Sequence, residues 1–397
     1  MPGALDDILI LDLSRVLAGP YGTMVLSDFG ARVVKVEQPG QGDETRTWGP
    51  PFAADGQSAY FLCANRNKES ITVNLRSPEG RAIVRALAAR ADVLIENFKV
   101  GTMAALGLGY ESLRELNPGL VYCAITGYGQ DGPYARRPGY DTVIQAQGGL
   151  MSVTGPAEGG PFKVGVAVVD ITAGLYAASA ILAALHHRAR AGEGQLIDIA
   201  LFDVQLSWLA NVASAYLVSG SPPARQGNAH ATIVPYQPFA AADGHVMVAV
   251  GNDGQFARLC GALGRPEWAT DPRFTSNPAR VAARDELVPM IAEVMAGRPA
   301  AAWVEALLAA DVPCAPVNDI PAALADPQAQ ARGMVREIPA EGGPPVRLVG
   351  PAPKLSATPA AVRSAPPRHG QHTEAVLREL LGYDQARIAE LRESGAI

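Results

Sequence analysis

Cysteine is scarce. Four residues (Cys63, Cys123, Cys260 and Cys314) are scattered through 397, with no CxxC and no histidine at ligand spacing. That excludes a disulfide scaffold and gives no zinc motif; four reduced core thiols and no metal are expected. Basic residues are outnumbered, 33 Lys and Arg against 39 Asp and Glu, for a formal net charge of −6. An acidic balance argues against a nucleic-acid partner. It still leaves room for an anionic small ligand, because a few local arginines outweigh a weak global field. Long uncharged runs are also few. Residues 171–185 are too short to span a bilayer, and 204–224 carry Gln205, Ser207 and Asn211 before a Gly-Ser-Pro-Pro break. Both read as buried helices, with no membrane partner. The opening MPGALDDILILDL has Asp6 and Asp7 where a secretory signal places lysine or arginine, so a cytoplasmic location is expected. Finally, GxGxxG is missing after the first strand, where the chain runs SRVLAGPYG; no nicotinamide dinucleotide site is expected.

What is present is a globular composition, 48% hydrophobic and 18% charged, long enough for two or three domains. Residues 8–13, 32–37, 70–74, 92–96 and 120–125 read as strands, several of them continuous Val/Ile/Leu runs of the kind buried on both faces of a sheet. Helical segments with readable starts lie between them. Ser77-Pro78-Glu79 supplies a hydroxyl cap, a first-turn proline and an acid, and Ser112 to Glu115 has capping-box spacing. This alternation predicts an α/β fold with a doubly wound parallel sheet. A Gly-rich stretch at 127–161 is too long for a plain connection and either is disordered or builds a site. Helices follow at about 171–191 and 199–219, with a strand at 195–199 between them. The segment 220–230 reads as a domain boundary, 231–325 as a smaller unit, and the Pro-rich 339–367 as an extended return to C-terminal helices at 373–381 and 384–395.

Several residues carry chemistry in more than one reading. Asp170 ends an apolar run at the start of a long Ala-rich helix. It reads either as a helix cap or as a carboxylate at the positive end of a helix dipole, able to attack a thioester. Tyr140-Asp141 follows Pro-Gly and reads as a turn. Arg15, Arg46, Arg66, Lys68, Arg76 and Lys99 each read as solvated surface. They share strand ends, however, where phosphates or carboxylates bind. Asn97-Phe98 offers an amide and an aromatic face at the same edge, and Trp48 reads as a lid or a loop anchor. Gly251 to Gln255 opens a helix with free amides, a weak oxyanion signal. His186-His187 reads as a favourable dipole interaction.

The stretches DLSRVLAGPYGTMVLSDFGARVVKVEQPG, NRNKESITVNL, DVLIENF, ITGYGQDGP, PGYDTVIQAQGGLM and VGVAVVDITAGLYA together resemble the family III CoA-transferases (CaiB/BaiF type). The likeness runs on through GEGQLIDIALFD, IVPYQPF and GNDGQFA to GPAPKLS and GQHT. TRTWGPPF, GYGQDGP and IVPYQPF look most like members that exchange CoA between dicarboxylic acids such as succinate and glutarate. The resemblance implies a Rossmann-like large domain plus a smaller α/β domain, with boundaries near 1–220, 221–330 and 331–397, and an interlocked homodimer. It implies coenzyme A as a substrate moiety without a permanently bound cofactor. It also implies an aspartyl anhydride and then an aspartyl-CoA thioester, both on Asp170. Family CoA contacts fall on Val16, Leu17, Ala18, Gln38, Val73, Asn74, Leu75, Arg76, Asn97, Phe98, Arg137, Tyr140 and Asp141. Some relatives carry arginine at Gln38 and lysine at Pro138, so phosphate or adenine contacts must come from elsewhere, with Arg76, Lys99, Arg136 and Arg137 as the candidates. Arg15, Arg46, Trp48 and Arg66 are the acceptor-binding candidates. The alternatives are an α-methylacyl-CoA racemase or a non-catalytic acyl-CoA-binding protein. The racemases place histidine where this chain has Tyr140, and a phenol is a poor proton shuttle.

Overall fold

The computed structural model describes residues 3–340 and 343–397. The chain divides into two compact units. One comprises residues up to Leu150, Val164–Val218 and Pro327–Ile397; the other comprises Met151–Lys163 and Ser219–Asp326.

The first unit is built on six parallel strands: β1 (Leu9–Asp12), β2 (Arg32–Glu37), β3 (Lys68–Thr72), β4 (Val93–Glu96), β5 (Val121–Thr126) and β6 (Leu196–Ala200), in the order β3-β2-β1-β4-β5-β6. The apolar runs form strands because both sheet faces are covered. On one face, Ile10, Val33, Val93, Ile95, Val121 and Cys123 pack against α1 (Ala18–Asp28) and the long helix α4 (Val168–Ala191). On the other, Leu11, Val34, Leu94 and Tyr122 pack against α2 (Pro78–Ala88). The last two helices, Thr373–Leu381 and Gln385–Glu393, add Val376, Leu377 and Leu391 to that second layer. Helices α1 and α4 approach so closely that a Cβ on Gly22 would lie 2.7 Å from the Gly174 carbonyl oxygen. Only glycine fits that crossing. Ser77 caps α2 through the Gly80 N–H, with Pro78 at its first position.

Several local expectations are corrected. Ser112 caps nothing, because its helix runs Tyr110–Arg114 and starts at Gly109. The third strand begins at Lys68 rather than residue 70, since the Lys68 ammonium is buried against Asp12 at 3.1 Å. Residues 73–76 therefore leave the sheet as a loop. Cys123 and Cys260 are buried and Cys314 half-buried, but Cys63 is exposed at the end of a short helix, Ala59–Leu62. The segment expected as one buried helix at 199–219 breaks into α5 (Leu201–Trp208) and α6 (Ala210–Ser219), bent by 72°. No residue of α6 is buried; Leu217 and Val218 are 80% and 90% exposed. The Pro-rich return also contains an antiparallel hairpin, Val335–Ile338 with Val346–Val349, that the sequence pattern did not signal.

The second unit carries a three-stranded antiparallel sheet, Tyr236–Ala240, His245–Ala249 and Cys314–Pro316. Helices pack on it around Phe256, Phe274 and Trp303. Asn252 caps the helix at Asp253–Ala262 through the Gln255 N–H, and the Gln255 side chain takes the Gly251 N–H, so these two amides are engaged.

Candidate active site

In open parallel sheets, ligands bind beyond the strands' carboxyl ends where the strand order reverses. Here that point lies between β1 and β4, and the loops following both strands are tied together. The Asn97 side chain accepts from the Arg15 N–H at 2.8 Å and donates to the Arg15 carbonyl at 2.7 Å. The amide expected as a CoA contact is therefore engaged as a loop clamp. Beside it, Val16 adopts φ +69°, a conformation that costs a β-branched residue of order 1–3 kcal/mol. Its N–H is held at 3.3 Å by both carboxylate oxygens of Asp43. Asp43 is in turn paired at 2.9 Å with Lys35, and both of these side chains are fully buried. Lys35 also donates to the Ser14 carbonyl.

The Gly-rich stretch builds the opposite wall. A Cβ on Gly127 would sit 2.7 Å from the Gly139 Cα, so this pair lets the loop fold back on the end of β5. The fold-back brings Arg136, Arg137, Pro138 and Tyr140 to the site, with Arg137 stacked 3.7 Å over Tyr134.

Asp170 lies in the first turn of α4 and is not its cap. The N-cap position is Ala167, without a side-chain bond. The cap comes from Asp141, at the start of α3 (Asp141–Gln147), whose carboxylate accepts from Val169 N–H at 2.8 Å and Asp170 N–H at 3.3 Å. Asp141 is thus neither a simple turn residue nor exposed to a ligand; it is buried behind the nucleophile candidate. The Asp170 carboxylate has no hydrogen bond among the described residues. Burial, followed by the like charge of Asp141, pushes its carboxyl up to about 7. Tyr60 faces the same charges: burial, then Asp170, raise its phenol to about 12.

Two adjoining cavities complete the geometry. The smaller, about 170 Å³, is lined by Asp170 with Val16, Leu17, Ala18, Asn97, Phe98 and Tyr140, and by the cations Arg15, Lys99, Arg136 and Arg137. The larger, about 840 Å³, is lined by Gln38, Trp48 and Val73, Asn74, Leu75 and Arg76. Arg15, Glu44 and Phe98 border both. Arg15 pairs with Glu44 at 2.8 Å and lies 5.1 Å over the Phe98 ring, while its Nε is buried with no hydrogen-bond partner among the described residues. Trp48 packs edge-on against Tyr60 with ring centroids 5.0 Å apart.

Arg46 and Arg66 border neither cavity. Arg46 forms a bidentate pair with Glu37 and stacks 3.7 Å over Phe61; Arg66 pairs with Asp28 and donates to the Val349 carbonyl. Each guanidinium is occupied holding the fold. Sequence reasoning missed Asp43, Glu44, Lys35 and Tyr60. The only sequence signal for the first two was an acidic pair shortly after a strand. Among the described residues no cluster of three or more His, Cys, Asp or Glu side chains is arranged to hold a metal.

A desolvated, unpaired carboxylate on the wall of a small cationic cavity, beside a larger one that shares Arg15, Glu44 and Phe98 with it, suits a large anionic thioester. Comparison with known proteins agrees. The family model for CoA-transferase family III matches residues 5–373. The succinate–glutarate CoA-transferase of Agrobacterium fabrum is 49% identical over 381 residues, covering 95% of each chain. The succinyl-CoA:glutarate CoA-transferase of Homo sapiens is 43% identical over 393 residues, covering 99% of this chain and 90% of that one. The crystal structure of a CaiB/BaiF family protein from Brucella suis superposes with a TM-score of 0.87 at 46% identity, covering 96% of this chain and all of that one.

Proposed function

The chain belongs to CoA-transferase family III, and from that premise we propose that it moves CoA from succinyl-CoA to a dicarboxylate such as glutarate, with Asp170 as nucleophile. The observation that carries this reading is the unpaired Asp170 carboxylate, raised to about 7, on the wall shared with the two strand-end loops. An Asp170 oxygen attacks the thioester carbonyl; the C–S bond breaks, CoA leaves as thiolate, and an acyl–aspartyl anhydride remains. The thiolate then attacks the Asp170 carbonyl, releasing the donor acid and leaving CoA on Asp170 as a thioester. The acceptor carboxylate repeats the sequence in reverse and departs as the new acyl-CoA. Each step exchanges one acyl bond for another, so no single step expels a poor leaving group.

The larger cavity takes the body of CoA, with Gln38 and Arg76 in its lining, and Lys99, Arg136 and Arg137 supply positive charge in the smaller cavity that Asp170 lines. Arg15 takes the second carboxylate of the acceptor. Its guanidinium borders both cavities and leaves Nε buried without a partner, which a carboxylate fork satisfies. We further propose a homodimer, because the apolar side chains of α6 are left in solvent by the single chain. Its four free cysteines fit a reducing, cytoplasmic setting.

The test is a transfer assay from succinyl-CoA across mono- and dicarboxylates of matched length. Preference for five- and six-carbon diacids supports the reading. Equal use of monoacids, or no transfer to any acid, contradicts it.

A further inference from the structure

The Asp170 carboxylate is bare although acids in the first turn of a helix ordinarily fold back to bind the turn's own backbone N–H groups. The reason lies on another element. Asp141 takes the Val169 and Asp170 N–H groups. Gln145, fully buried one turn further along α3, donates to the other Asp141 oxygen and accepts from the Val164 N–H at 2.9 Å. The segment 164–170 is thus pinned at both ends by two side chains of α3, and no Asp170 oxygen is drawn back onto the helix.

We propose that Asp141 and Gln145 are positioning residues: they hold the entrance of α4 so that the Asp170 carboxylate projects unbonded into the small cavity. This rests on the reading of Asp170 as nucleophile. A carboxylate capped by its own turn would have its lone pairs engaged and its basicity lowered, both unfavourable for attack on a thioester. Here the cap is provided by a neighbouring anion, which satisfies the amides and opposes ionisation of Asp170 through the same contact. The groups facing Asp170 are Asp141 from α3, Tyr60 from the Ala59–Leu62 helix, Arg15 and Glu44 from the strand-end loops, Lys99 after β4, and Arg136, Arg137 and Tyr140 from the Gly-rich loop. Of these, Asp141 is hydrogen-bonded to the helix that carries Asp170.

The decisive variant is Asp141→Asn, which keeps an acceptor for the helix and removes the charge. The acid limb of its kcat/KM profile moves down by about one pH unit. Its plateau kcat falls about tenfold and its KM for succinyl-CoA stays within about twofold of the parent. An acid limb at the parent position, or a loss confined to KM, overturns the proposal. Gln145→Met keeps every charge, so it lowers kcat without moving the acid limb; parent kcat in a folded Gln145→Met protein also overturns it. Should Asp141→Asn fail to fold, the Gln145→Met result decides alone. Hydroxylamine trapping on the parent enzyme separates the two claims. No adduct at Asp170 sinks the nucleophile assignment itself. An adduct combined with an unshifted Asp141→Asn profile sinks only the positioning role.

Discussion

Asn97 and Arg15 close a two-way clamp: the amide of one receives and donates a hydrogen bond to the backbone of the other, at 2.8 and 2.7 Å, across the gap between β1 and β4. This joins the two loops that wall the small cavity. Asn97→Leu removes both bonds at similar volume. At about 0.5–1.5 kcal/mol each, with buried backbone groups left unpaired, the chain should lose about 1–3 kcal/mol of stability. The KM for succinyl-CoA should rise about tenfold or more. Thermal unfolding and initial-rate kinetics on the same preparation check both.

Arg15 and the pair Arg46 and Arg66 should separate cleanly. Arg15→Gln leaves the fold intact and lowers the preference for diacids over monoacids by about 10–100-fold, read as a ratio of kcat/KM values. Arg66→Ala takes the ion-pair partner from buried Asp28, leaving it the Asn67 amide, and should cost about 3–5 kcal/mol. Arg46→Ala takes the bidentate partner from buried Glu37 and should cost less, since Glu37 keeps the Ser70 hydroxyl, the Asp43 N–H and the nearby Lys35 charge. In whatever folded fraction survives, diacid preference is unchanged. A specific loss of diacid use in Arg66→Ala, without loss of stability, contradicts this division.

Asp170 also makes stability depend on pH. Its carboxyl rises from the ordinary 3.8 to about 7, through burial first and Asp141 second. Across that window the folded chain keeps a proton that the unfolded chain has released, so stability falls as pH rises from 3.8 to about 7. Asp170→Asn removes this contribution. Its melting temperature should match the parent near about pH 4 and exceed it by a few degrees near about pH 8, while transfer is abolished. Equal melting temperatures at both pH values contradict the raised carboxyl.

Gly127→Ala places a Cβ 2.7 Å from the Gly139 Cα, against backbone that has no room to move without the loop moving too. The expected result is a displaced 134–140 loop, a loss of CoA binding of at least about tenfold, and little change in global melting, since loops contribute little to the core. Calorimetric titration with CoA, with an unfolding trace as control, reads both.

The strands were legible where the sequence is monotonous. VLIE at 93–96 and VYCAIT at 121–126 are buried on both faces, and a run that is apolar almost throughout announces that directly. Charged residues inside the fold were not legible. Lys68 and Arg66 look like surface until Asp12 and Asp28, 56 and 38 residues away, are seen beside them. The same distance effect hid the role of Asp141, whose partners lie 28 and 29 residues downstream. Asp170 stood out because an acid closing an apolar run is rare enough to question. Helix α6 misled for a physical reason: hydropathy reports what side chains prefer, not whether one chain has the surface to cover them.

The site of covalent bond formation distinguishes a nucleophilic Asp170 from a structural one. The enzyme is incubated with succinyl-CoA, quenched with hydroxylamine, and its proteolytic peptides are read by mass spectrometry. The prediction is a hydroxamate on Asp170 alone, absent without succinyl-CoA and absent from Asp170→Asn. A hydroxamate on another carboxylate, or an active enzyme that never acquires one, would contradict it.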